Sequence, residues 1–124
     1  MKKKIMIVDD EPDQLFTVKA VLSDLSDEYE VITADSGMRC LELLKDNNIP
    51  DLILLDILMP EMNGWEVQTR IRQKFEWRKI PIIFLTAIDD KTSEITGREI
   101  AEEFIEKPFD VSDLKRRIEE VLKK

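Results

Sequence analysis

Residues 52–64 read Leu-Ile-Leu-Leu-Asp-Ile-Leu-Met-Pro-Glu-Met-Asn-Gly, and their first five decide the fold. Leu52 to Leu55 form an apolar run with no polar alternation, as expected of a parallel strand covered by helices on both faces. Asp56 ends that run with a carboxylate. The same continuously apolar signature recurs at Ile5-Met6-Ile7-Val8 and from Ile80 to Leu85, and two further runs, Tyr29 to Thr33 and Phe104-Ile105, supply the edges. Five strands are therefore predicted.

Amphipathic stretches fill the gaps. Leu15, Val18, Leu22 and Leu25 recur at spacings of three and four, which makes residues 12–26 a helix with one buried stripe and Pro12 in its first turn. Residues 36–46 carry Cys40, Leu41 and Leu44 behind a Ser36 cap, and residues 63–75 carry Val67, Ile71 and Phe75 at i, i+4 spacing. A last helix begins at Asp110, buries Leu114, Ile118 and Val121 or Leu122, and ends in Lys123 and Lys124, cations suited to a helix C-terminus. Between strands four and five, residues 89–99 hold the poor helix formers Thr92, Ser93, Thr96 and Gly97, so the helix expected there is short or mobile.

Alternating strands and helices with right-handed crossovers give a doubly wound parallel α/β sheet, and its ligands sit beyond the carboxyl ends of the strands at the topological switch point. Asp9 and Asp10 end the first strand and Asp56 the third. If the order is 2-1-3-4-5, these strands are neighbours and the three carboxylates converge. Each full-charge pair would then repel by about 4 kcal/mol at roughly 4 Å and an effective dielectric near 20. A cation must compensate. Mg²⁺ suits an all-oxygen site with positions left for water and a phosphoryl oxygen. Ca²⁺ is disfavoured, because Asp9-Asp10-Glu11-Pro12-Asp13 lacks the spacing and the turn glycine of an EF-hand loop. Lys107 ends the fifth strand as fixed positive charge, and Thr86 ends the fourth with a hydroxyl.

Composition narrows the chemistry. A chain of 124 residues, 43% hydrophobic and 37% charged, suits one domain, and no apolar run reaches the length of a bilayer crossing. Basic Met1-Lys2-Lys3-Lys4 is followed by an apolar run that stops at Val8, too short for an export signal, so a cytoplasmic protein is expected. A net charge of −8 argues against direct nucleic-acid binding. With no histidine and the single Cys40, an internal disulfide, Cys/His zinc sites and Ser-His-Asp or Cys-His catalysis are excluded, and any phosphohistidine donor must come from another chain.

The ordered set of Asp9-Asp10, Asp56, Thr86 and Lys107-Pro108-Phe109, with the segment Asp56-Ile57-Leu58-Met59-Pro60-Glu61-Met62-Asn63-Gly64, resembles the response regulator receiver family essentially end to end. The resemblance implies a flavodoxin-like five-stranded sheet of order 2-1-3-4-5 over a single receiver domain, residues 1–124. It makes Asp56 the nucleophile that becomes an aspartyl phosphate. Asp10, Asp56 and the Leu58 backbone carbonyl would ligate Mg²⁺ directly, and Asp9 through water. Lys107 and Thr86 would contact phosphoryl oxygens. A sensor histidine kinase or histidine phosphotransfer protein would be the donor. Thr86 and Phe104 would then switch the face made by the fourth helix, fifth strand and fifth helix toward a protein partner, with dimerisation left open. In this pattern Pro108 follows a cis peptide bond. Gly97 inside the expected fourth helix and Ile100 in place of a usual glycine depart from it. Leu58 and Ile88, at two positions that set phosphoryl lifetime, are apolar and cannot orient water, so a long-lived phosphoryl group is expected.

Plainer readings compete at each residue. Asp9, Asp10 and Asp13 could serve only the dipole of the helix opening at Pro12, Thr86 and Lys107 could be an ordinary strand end and a solvated lysine, and Phe104 could be plain core. Trp65 and Trp77 read as packing residues and Lys115-Arg116-Arg117 as a solvated face. The leading expectation is a signalling module that catalyses only its own phosphotransfer and dephosphorylation, with a phosphorelay intermediate as variant. A Mg²⁺-dependent hydrolase with an aspartyl nucleophile would place Asp-x-Asp after strand one, where Asp9-Asp10-Glu11 has the wrong spacing, and the acidic loop would repel the phosphate of a flavin cofactor. A receiver-like module that binds without phosphorylation typically loses the acidic pair, the acceptor or the lysine, and all are retained.

Overall fold

The computed structural model describes residues 2–25, 29–87, 103–107 and 109–123. Five parallel strands, β1 (Lys3–Val8), β2 (Tyr29–Ala34), β3 (Leu52–Asp56), β4 (Ile82–Ala87) and β5 (Glu103–Lys107), form one sheet in the order β2-β1-β3-β4-β5. The described helices are α1 (Pro12–Leu25), α2 (Gly37–Lys45), α3 (Gly64–Gln73) and the C-terminal α4 (Val111–Lys123). The expected helix over 89–99, the Pro108 peptide bond and the side chain of Leu25 lie outside the described residues.

Alternation along the strands sorts side chains into two cores. Met6, Val8, Ile53, Leu55, Ile82 and Phe84 face one side, where Cys40, Leu41 and Leu44 of α2 and Val67 and Ile71 of α3 cover them. Ile5, Ile7, Leu52, Leu54, Ile83, Leu85 and Ile105 face the other, covered by Val18 and Leu22 of α1 and Leu114 and Ile118 of α4. This explains the unbroken apolar run of β3: every one of its five residues is buried.

The caps act where polar side chains replace missing backbone partners. Ser36 Oγ accepts from the Arg39 N–H at 3.0 Å and Asn63 Oδ1 from the Glu66 N–H at 3.0 Å. Helix α3 departs from its expected span. Lys74 turns extended at φ −94° and ψ 125°, so the helix stops at Gln73 and a 3-10 turn over Phe75–Trp77 follows. Phe75, expected on the buried stripe, is consequently 83% exposed, while Trp77 enters the core. Arg72 holds this corner, donating to the carbonyls of Arg78 at 3.0 Å and Ile80 at 2.8 Å. Strand β4 also starts later than its apolar run, with Ile80 buried just before it.

The Lys115-Arg116-Arg117 run divides. Arg116 lies exposed between Asp113 and Glu120, as a solvated face requires. Arg117 instead donates from Nη1 to the Phe104 carbonyl at 2.9 Å, tying α4 to β5, while its Nε stands 3.5 Å from Asp113 without hydrogen-bond geometry.

Candidate functional site

The neighbouring strands β1 and β3 end side by side, with Val8 paired to Leu55, and this register delivers the acidic residues to one crevice. One carboxylate oxygen from each of Asp9, Asp10 and Asp56 lies within 4.8 Å of the others. Asp9 and Asp56 are buried, at 2% and 7% exposure, and Asp10 is half-buried. The Asp9 N–H donates to the Ala34 carbonyl at 3.1 Å, and its Oδ1 accepts from the Glu11 N–H at 3.0 Å. Asp9 is thereby held in the turn between β1 and α1, with β2 as its second anchor.

Buried like charges are unstable together unless a cation or donors compensate them. The donors are hard carboxylate oxygens, and the chain has no histidine. Its one thiol, Cys40, sits in the core, where burial pushes its pKa up to about 12 and keeps it protonated. This donor set fits an oxygen-seeking divalent cation such as Mg²⁺.

The loop after Asp56 is built to hold its shape. Ile57, Met59 and Met62 point into the α2–α3 core, whereas Leu58 is 56% exposed. Glu61 takes φ 67°, a left-handed conformation that costs a non-glycine residue about 1–2 kcal/mol. The Met62 N–H donates to the Pro60 carbonyl at 2.7 Å and the Gly64 N–H to the Ile57 carbonyl at 2.8 Å, closing the loop on the end of β3. Gly64 is needed for that closure: a Cβ there would stand 2.5 Å from the Asp56 carbonyl oxygen and 2.8 Å from Ile57 Cα. Nothing in the composition of the loop exposes this close approach, although a glycine directly after the capping Asn63 is its available signal.

Thr86 and Lys107 stand at the carboxyl ends of β4 and β5, where Thr86 pairs with Glu106 and Ala87 with Lys107. The roles expected of their side chains lie outside the described residues, as does Ile88. Phe104 is half-buried on the α2–α3 side, stacked on Phe84 at 5.4 Å between ring centroids and against Trp65 at 5.7 Å. The Trp65 contact is a feature that sequence reading missed, because it joins residues 39 positions apart.

Residues 5–119 match the family described as the response regulator receiver domain. The chain belongs to that family. Among its relatives, the probable transcriptional regulator ycf27 of Galdieria sulphuraria is 40% identical over 99% of this chain and 46% of its own length. The corresponding protein of Guillardia theta is 38% identical over 99% of this chain and 46% of its own. The chain thus spans about half the length of the curated relatives it matches. A solved receiver domain of a signal transduction histidine kinase from Syntrophus aciditrophicus superposes with a TM-score of 0.87 at 30% identity, covering 98% of this receiver and 90% of that chain. The fold and strand order of the receiver match such structures. Receivers of this family are signalling domains of two-component systems rather than conventional enzymes, and work with histidine kinases. Among the described residues, no helix is long and apolar enough to cross a membrane.

Proposed function

We propose that residues 1–124 form one phosphorylatable receiver domain in which Asp56 accepts a phosphoryl group from a phosphohistidine of a sensor kinase or phosphotransfer protein. The convergence of Asp9, Asp10 and Asp56 at the ends of β1 and β3, in a chain of this family, carries the proposal. In the step itself an Asp56 carboxylate oxygen forms a bond to phosphorus as the P–N bond to the donor imidazole breaks. The electron pair of that bond returns to the imidazole.

Asp10, Asp56 and the Leu58 carbonyl would hold Mg²⁺, with Asp9 acting through water. Bound there, the ion would offset the carboxylate charge and the charge on the phosphoryl oxygens. Lys107 and Thr86 would add a cation and a hydroxyl donor to those oxygens. Burial of Asp56 limits water access, and the exposed apolar Leu58 offers no group to orient an attacking water, which supports a long phosphoryl lifetime. The added dianion would bias Thr86 and Phe104 and so change the face that includes β5 and α4 for a protein partner in the cytoplasm.

The names of the curated relatives favour transcriptional control as the process served. The net charge of −8 makes this domain a poor DNA contact, so that output would run through another segment or protein. Phosphorelay is the variant in which the acceptor passes its phosphoryl group on.

Intact mass after incubation with Mg²⁺ and acetyl phosphate tests the proposal. One phosphoryl adduct is expected, dependent on Mg²⁺ and absent from Asp56→Asn. Failure to form it with both acetyl phosphate and a panel of phosphorylated histidine kinases would overturn the reading.

A further inference from the structure

The phosphoacceptor turn and Phe104 are joined by a short physical path through α3. The Gly64 backbone lies close enough to the Asp56 carbonyl to leave no room for a Cβ, and its N–H donates to the Ile57 carbonyl at 2.8 Å, so the first residue of α3 follows if the end of β3 shifts. The next residue is Trp65. Its indole lies 4.5 Å from the fully buried Phe84 ring and 5.7 Å from that of Phe104. Phe84 and Phe104 are register partners on β4 and β5, stacked with only 24° between their planes. Phe84 is fully buried and pairs with Leu55 beside Asp56, while Trp65 follows the acceptor loop directly through Gly64. The Trp65 Nε1 is buried and has no hydrogen-bond partner among the described residues.

We propose that Trp65 is a positioning residue that couples the Asp56 turn to the packing of Phe104, a route through α3 alongside the one through Thr86. It rests on the reading of Asp56 as phosphoacceptor. Displacement of the β3 end moves Gly64, Gly64 carries Trp65, and the indole resets the surface on which Phe104 stacks. The chain between acceptor and β5 therefore consists of one backbone contact and one ring contact.

The test combines intact mass with ¹⁹F NMR on the full chain labelled with fluorophenylalanine, the Phe104 resonance being assigned by its loss in Phe104→Leu. Wild type, Trp65→Leu and Trp65→Phe are compared before and after treatment with acetyl phosphate and Mg²⁺. Wild type should show a Phe104 shift that scales with the adduct fraction. Trp65→Leu should take up phosphoryl to the same extent while losing at least half of that shift, and Trp65→Phe, which keeps a ring, should restore most of it. In the Trp77→Phe background, emission from Trp65 should change with adduct formation and stay constant in Asp56→Asn. A full Phe104 shift in Trp65→Leu at equal adduct, or Trp65 emission unchanged on phosphorylation, would overturn the coupling and leave the acceptor assignment intact. Absence of any adduct in wild type would overturn both.

Discussion

Replacing Gly64 by alanine sets two physical effects of opposite sign against each other. Helix propensity alone favours alanine over glycine by up to about 1 kcal/mol, and Gly64 has no positive φ to forbid the change. The contact opposes it. An added Cβ would stand 2.5 Å from the Asp56 carbonyl oxygen, about 0.9 Å short of the 3.4 Å at which ordinary contact begins, and 2.8 Å from Ile57 Cα. Both obstacles are backbone at the end of a fully buried strand, so they cannot rotate away, and overpacking of this kind costs about 1–3 kcal/mol. With the 2.5 Å clash at the upper end of that range, the contact wins by up to about 2 kcal/mol, a fall in Tm of up to roughly 8 °C for a chain of this size. Urea unfolding followed by circular dichroism should show a lower midpoint at unchanged slope. Gly37→Ala is the control. Its Cβ would meet Val67 Cγ2 at 2.6 Å and Met62 Sδ at 3.0 Å, side-chain rather than backbone atoms: the thioether can turn aside and the buried, β-branched Val67 must shift within the core, so its loss should leave the end of β3 in place. A Gly64→Ala protein more stable than wild type would refute the claim that α3 is wedged against the end of β3.

Asp10→Asn removes one of three converging charges and so two repulsive pairs, and because Asp10 is half-exposed each is screened to about 1 kcal/mol or less, up to about 2 kcal/mol together. In EDTA its urea stability should rise by about that amount, while the stabilisation that Mg²⁺ gives wild type should disappear. Cys40 should resist a thiol reagent at pH 8 until the chain unfolds. Its pKa is raised from an ordinary value near 9 to about 12, so its contribution to stability is complete below pH 9 and is lost as pH rises through 9–12. Cys40→Ser should flatten that part of the pH–stability curve. Leu58→Asn with Ile88→Glu should speed hydrolysis of the Asp56 adduct, toward the ~100-fold that a positioned proton acceptor supplies at the low end. Unchanged decay, followed by intact mass, would remove the assigned cause of a long lifetime.

What could be read from the chain, and what could not, follows the range of the interactions involved. The parallel sheet was legible because burial on both faces leaves a local mark, the unbroken apolar runs of β1, β3 and β4. The stripes Val18/Leu22 and Leu114/Ile118 were legible for the same reason, since a helix repeats its buried face every three to four residues. Phe75 fails that rule because Lys74 leaves helical dihedrals one residue earlier, a backbone choice stabilised by Arg72 reaching the carbonyls of Arg78 and Ile80. Arg117 likewise looked like solvated charge until β5 supplied the Phe104 carbonyl it holds.

The sequence by itself determined which reactive residue types are present and where along the strands they fall: hard acids at the ends of apolar strands, no histidine, and one cysteine destined for the core. Only the tertiary structure decided which of them meet. Asp9 and Asp56 are 47 positions apart and share a crevice because β1 and β3 are sheet neighbours. The approach of Gly64 to the Asp56 carbonyl and the stack of Trp65, Phe84 and Phe104 depend on the docking of α3 and on cross-strand register. A linear pattern records how each element is buried; the contacts between elements are set by packing, which selects among many arrangements that the same pattern permits.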